Sequence, residues 1–80
     1  MDNKIAVLAI IVNDFKTVDR VNALLHEYRE RIVGRMGIPY RAKEVNIISV
    51  VLDAPFEEIN ALSGKLGMID GVSSKVLTAK

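Results

Sequence analysis

Few residues in this chain offer chemistry, and their spacing narrows that chemistry quickly. His26 is the sole histidine and cysteine is absent. A metal site needs several imidazole, thiolate or carboxylate donors that converge, and no such cluster is written here. The loop Asn13-Asp14-Phe15-Lys16 has no glycine with which to cradle a phosphate. No Ser-His-Asp arrangement is supported, and Glu57 and Glu58 sit where a helix dipole is positive, which explains them better than acid-base work does. No metal or cofactor is expected, and nothing marks the chain positively as an enzyme. Two places remain. Asn13, Asp14 and Asp53 are expected at the carboxyl ends of two parallel central strands, beside helix starts, where open sheets leave a ligand crevice. The same three residues also read as helix caps. Gly34, Arg35 and Gly37, within Gly34-Arg35-Met36-Gly37, would let an anion approach the backbone beside a guanidinium. The other reading of that stretch is an edge-strand bulge with a solvated arginine.

The elements that must hold these residues follow from hydrophobic spacing. Lys4-Ile5-Ala6-Val7-Leu8-Ala9-Ile10-Ile11-Val12 is apolar on both alternating faces, as a central strand covered on both sides would be. Val18, Val21, Leu24, Leu25 and Tyr28 recur at helical spacing and predict an amphipathic helix over about 15–30. The stretch 32–40 carries two glycines and a proline, which suit an edge strand with a bulge. Val45 to Leu52 is apolar at nearly every position and reads as the second central strand. Asp53-Ala54-Pro55-Phe56-Glu57-Glu58 opens a second helix whose stripe is Phe56, Ile59, Leu62 and Leu66, with Gly67 as its left-handed cap. Ile69-Asp70-Gly71 turns the chain into a last, more polar edge strand from Val72.

Strand, helix, strand, strand, helix, strand is the order of an α+β, ferredoxin-like βαββαβ plait. It is a single domain over 1–80, with a four-stranded antiparallel sheet and both helices on one face. The two halves echo each other, Val21-Asn22-Ala23-Leu24 against Ile59-Asn60-Ala61-Leu62. The helices then cover one face of two strands that are greasy on both. At about 1.5 to 3 kcal/mol per fully buried aliphatic side chain, leaving that second face in water forfeits an amount comparable to the whole stability of a small domain. Assembly of copies through the sheet face, as dimer or tetramer, is the expected remedy.

Composition bounds the partners. Of 80 residues half are hydrophobic and the formal net charge is +1, which predicts a globular chain and does not argue for a polyanion. The charge is unevenly spread: residues 16–43 hold seven basic side chains against three acidic ones. The absence of cysteine gives no sign of an oxidising compartment. The first apolar run is too short to span a bilayer and lacks a basic leader, so a cytoplasmic location and no membrane are expected. The central strands offer no aromatic platform for bases, so direct nucleic-acid binding is not expected.

Ile32-Val33-Gly34-Arg35-Met36-Gly37-Ile38-Pro39-Tyr40, Ile47-Ile48-Ser49, Asp53-Ala54, Ala61-Leu62-Ser63-Gly64-Lys65-Leu66-Gly67 and Gly71-Val72 with Lys75 together resemble the family of iron-only hydrogenase system regulators. The resemblance implies a stand-alone ACT-like domain, similar also to the C-terminal domain of the nickel-responsive repressor, with a symmetric oligomer and a regulatory role. Departures are visible too. The repressor's several histidines and cysteine have no counterpart beyond His26. The glycine usual after the first strand of amino-acid-binding ACT domains is missing from Asn13-Asp14-Phe15-Lys16. The expected function is a small oligomeric regulator sensing an amino acid or anion. The rival readings are a small isomerase or lyase in the same crevice, and a purely structural assembly module.

Overall fold

Ten residues of alternating side chains, Asn3–Val12, form β1 at the middle of the sheet in a computed structural model that describes residues 2–79. Of its two faces one wins the helices: Ala6, Leu8, Ile10 and Val12 are buried, whereas Ile5, Val7 and Ile11 are exposed. The strands β2 (Ile32–Tyr40), β3 (Val45–Pro55) and β4 (Val72–Thr78) complete an antiparallel sheet of order β2-β3-β1-β4. The helices α1 (Val18–Glu27) and α2 (Phe56–Gly67) lie on one face. Val21 and Leu25 of α1, and Ile59, Leu62 and Leu66 of α2, close one core with Ile48, Val50, Leu52 and Ala54 of β3. This is the α+β plait predicted from the order of elements. Among the described residues no helix is long and apolar enough to cross a membrane.

Several local expectations change. β1 and β3 run antiparallel, with Ile5 opposite Asp53 and Val12 opposite Asn46. They are not the parallel pair assumed for a shared crevice. The physical reason is the chain path: a right-handed crossover sets β1 and β2 in the same direction, and the following hairpin reverses β3. The helix expected over 15–30 is divided. Asp14 accepts a hydrogen bond from the Lys16 amide at 2.9 Å, which caps a 3-10 turn, Phe15–Thr17. The buried Thr17 hydroxyl donates to the Asp14 carbonyl at 2.9 Å before α1 begins. At the other end Arg29 Nη1 donates to the His26 carbonyl at 3.0 Å and satisfies one of the last turn's unpaired acceptors. A second 3-10 turn, Arg29–Arg31, leads into β2.

The bulge predicted for β2 lies between Ile32 and Gly34, where the register with β3 slips. β3 runs three residues past Leu52, so Asp53 and Ala54 belong to a strand and not to a helix start. Phe56 is exposed and contributes nothing to the α2 stripe. Gly67 ends α2 in helical conformation, and the left-handed glycine is Gly71, with φ of 76°.

Two polar links tie α2 to the segment that follows α1. Arg31 grips Glu58 through both carboxylate oxygens at 3.0 Å. Their side chains are 41% and 40% exposed, so solvent screens the pair. Replacing Arg31 with methionine should lower the unfolding free energy by less than about 1 kcal/mol, and by still less at high salt; urea denaturation at two ionic strengths measures this. Lys65 Nζ donates to the Tyr28 hydroxyl at 3.0 Å and stands 5.3 Å from the ring centre. That hydrogen bond holds the exposed Lys65 ammonium above the ordinary lysine range.

Candidate functional site

The register decides which candidate residues can meet. Asp53 pairs with Ile5 near the start of β1, while Asn13 and Asp14 follow its end. Eight residues of strand separate the two levels, roughly 27 Å at 3.3 to 3.4 Å per residue. Asn13, Asp14 and Asp53 therefore cannot share one ligand. Asp53 shares the open sheet face with Ile5, because directly paired residues point the same way. Asn13 and Asp14 are tied instead to the turn before β4: the Asn13 amide donates to the Gly71 carbonyl at 2.7 Å.

The glycine-arginine stretch also divides between faces. Gly34 pairs with Val51 and lies on the open side, whereas Arg35 and Gly37 pair with Val50 and Ile48 and lie on the helix side. A single cradle formed by Gly34, Arg35 and Gly37 does not exist. Arg35 instead reaches toward α1, where its Nη2 donates to Asn22 Oδ1 at 2.8 Å.

A groove runs between α1 and β2. On one side stand Val18, Asn22 and Leu25 of α1 with Arg29 of the 3-10 turn that follows it, and on the other the helix side of β2, with Arg35 and Pro39 and Gly37 between them along the strand. Two clefts lie along this border. The larger, about 600 Å³, lies between Phe15, Val18 and Asp19 on one side and Pro39, Arg41, Glu44 and Asn46 on the other. It combines two carboxylates, a guanidinium and an amide with apolar walls. The smaller, about 230 Å³, has Asn22, His26, Arg29 and Arg35 around Leu25 and Ile32. Its charges are of one sign.

Glu44 at the wide end carries the left-handed backbone of the hairpin turn, with φ of 54°. A glycine there would relieve a strain of about 1 to 2 kcal/mol and give back part of it as unfolded-chain entropy. Glu44→Gly should stabilise the fold by up to about 1 kcal/mol, read as a rise in thermal midpoint. Among the described residues no group of three or more His, Cys, Asp or Glu is placed to hold a metal ion.

Of the candidates drawn from the sequence, Arg35 lines the smaller cleft, Gly37 lies along β2 between the two clefts, and Asp14 stands just before the larger. Asn22, Arg29, Arg41 and Glu44 were missed. The available signal was the cationic excess over 16–43, together with the helical spacing of Asn22, His26 and Arg29.

The fold and these surfaces define a small α+β plait with one bare sheet face and a polar groove beside its edge strand. The model of the TM1266-like family, described as "Iron-only hydrogenase system regulator, putative", matches residues 4–76, and the chain belongs to that family. Among solved structures it is similar to the uncharacterized protein TM1266 from Thermotoga maritima. The two are 40% identical over 99% of this chain and 100% of that one, with a TM-score of 0.94. No curated protein matches.

Proposed function

We propose that this chain is a cytoplasmic regulatory module that assembles with copies of itself through the open sheet face and takes a small effector in the groove between α1 and β2. The observation that carries the reading is the bare face itself. Ile5, Val7, Ile11 and Ile47 are between 38% and 48% exposed although they occupy the two central strands. Met36 and Ile38 of β2 and Leu77 of β4 extend the same surface through their pairings with Ser49, Ile47 and Val7.

Four strands about 4.8 Å apart and ten residues long offer roughly 600 Å² per copy, or about 1,200 Å² over two copies. That clears the ~1,000 Å² expected of a specific interface. A monomer seldom leaves so large an apolar patch in water. A second copy fits because the face is self-complementary: aliphatic, and bordered by Lys75 and Asp53, charges of opposite sign. The family's regulatory name supports the role, and the ACT-like resemblance supports pairing. With no aromatic side chain on β1 or β3 to stack a base, the module acts through a partner protein and not on nucleic acid directly.

Sedimentation equilibrium over nanomolar to micromolar concentrations tests the assembly. Dimers or tetramers are expected, with a thermal midpoint that rises with concentration. A folded monomer at every concentration would overturn the reading.

A further inference from the structure

We infer that the narrow end of the α1–β2 groove is a binding site for a phosphate group, held between Arg29 and Arg35. The inference deepens the effector reading above and rests on it for the site's role, while the binding itself stands on the geometry. Arg31, two residues from Arg29 in the same 3-10 turn, is matched by the Glu58 carboxylate. Among the described residues neither Arg29 nor Arg35 has such a partner: Arg29 donates to the His26 carbonyl and Arg35 to the Asn22 amide oxygen. Both acceptors are neutral, and no carboxylate lines the cleft. Two like charges thus converge on a space of about 230 Å³ with nothing to offset them.

The donors are also held in place. Each guanidinium has five N–H groups and spends one on its anchoring bond. The remainder form a planar fork, whose geometry matches two oxygens of a phosphate. His26 adds an imidazole to the same rim.

The groove gives such a ligand room to extend. Gly37 lies two residues along β2 from Arg35 on the same side, and a Cβ built there meets nothing within 4 Å. Two residues further along the strand, at Pro39, lies the wide cleft with its carboxylates and amide. The site therefore accepts either inorganic phosphate or the phosphate of an ester whose organic part runs past Gly37. The two sources share one anchoring chemistry.

Calorimetric titration with inorganic phosphate and with adenosine monophosphate, at constant ionic strength maintained with KCl, tests the assignment. Phosphate binding is expected in both arms, and Arg35→Gln or Arg29→Gln should weaken it about tenfold, the value of one charge-assisted hydrogen bond. Gly37→Val keeps a backbone valine readily adopts in a strand and puts bulk into the open space between the two clefts. If the source is an ester, this variant weakens the nucleotide and spares inorganic phosphate; if it is free phosphate, both are spared and the nucleotide binds no tighter. No heat beyond the KCl control in either arm, or undiminished binding in the Arg29→Gln/Arg35→Gln double variant with a native circular dichroism spectrum, would overturn the site. Binding that depends on Arg41 instead would also overturn it, while leaving the groove as an effector site. Phosphate binding to a protein that sediments as a monomer would sustain the site and refute the assembly.

Discussion

Replacing Val7 with lysine should turn the assembled protein into folded monomers. Val7 lies on the open face of β1, flanked by Val51 of β3 and Leu77 of β4. In a monomer it is 39% exposed, so a long side chain can lay its methylenes on those neighbours and keep its ammonium in water. The cost to the isolated fold is expected within about 0.5 kcal/mol. In a face-to-face pair the same substitution occurs twice. Each ammonium then loses its water, and Asp53, its diagonal neighbour on the same face, can pair with it only by being desolvated as well, at an effective cost of several kcal/mol per ion. At about 1.4 kcal/mol per factor of ten, the dissociation constant should rise by at least a hundredfold. Sedimentation reads the change directly, and the thermal midpoint should stop depending on concentration. Should the variant associate as tightly as the parent chain, the copies do not meet through this face.

How much of this was legible before the structure depends on whether a feature is local or long-range. The bulge in β2 was legible because Gly34, Gly37 and Pro39 weaken a strand locally wherever it sits. The doubly apolar character of β1 was legible too, but not which face would be bare, since Ala6-Leu8-Ile10-Val12 and Ile5-Val7-Ala9-Ile11 are nearly equivalent as sequences. Packing under Val21, Leu25, Ile59 and Leu62 settles the choice. Asp53 and Ala54 looked like a helix start because Pro55 follows them. Their pairing with Ile5 and Lys4 keeps them in the strand, and long-range pairing overrides local propensity. The supposed crevice of Asn13, Asp14 and Asp53 failed on direction alone: each residue is near a strand end, but the ends are opposite. The groove was invisible for a related reason. Its walls are 13 residues apart at Asn22 and Arg35, and only the crossover of α1 toward β2 brings them together.

The glycine that matters most to the fold is Gly71, and Gly71→Val should cost it dearly. The residue has φ of 76°, a conformation that costs a side chain with a Cβ about 1 to 3 kcal/mol, most of all a β-branched one. A Cβ at that position would also stand 3.0 Å from Asp14 Cβ and 3.4 Å from the Asp14 amide nitrogen. These atoms cannot retreat freely. The Gly71 carbonyl accepts the Asn13 amide at 2.7 Å, and Asp14 is held by the Lys16 amide and the Thr17 hydroxyl. The substitution therefore pushes apart the exit of β1 and the start of β4. A loss of about 2 kcal/mol or more is expected, against a total of about 4 to 12 kcal/mol for a domain of this size. The thermal midpoint should fall by about 8 to 16 °C. Gly67→Ala provides the contrast. Gly67 is the last residue of α2, and an added Cβ meets nothing within 4 Å; the better helix former should leave the midpoint unchanged or raise it. If the two variants melted together, the left-handed turn at Gly71 would not be what joins the outer strand to the middle of the sheet.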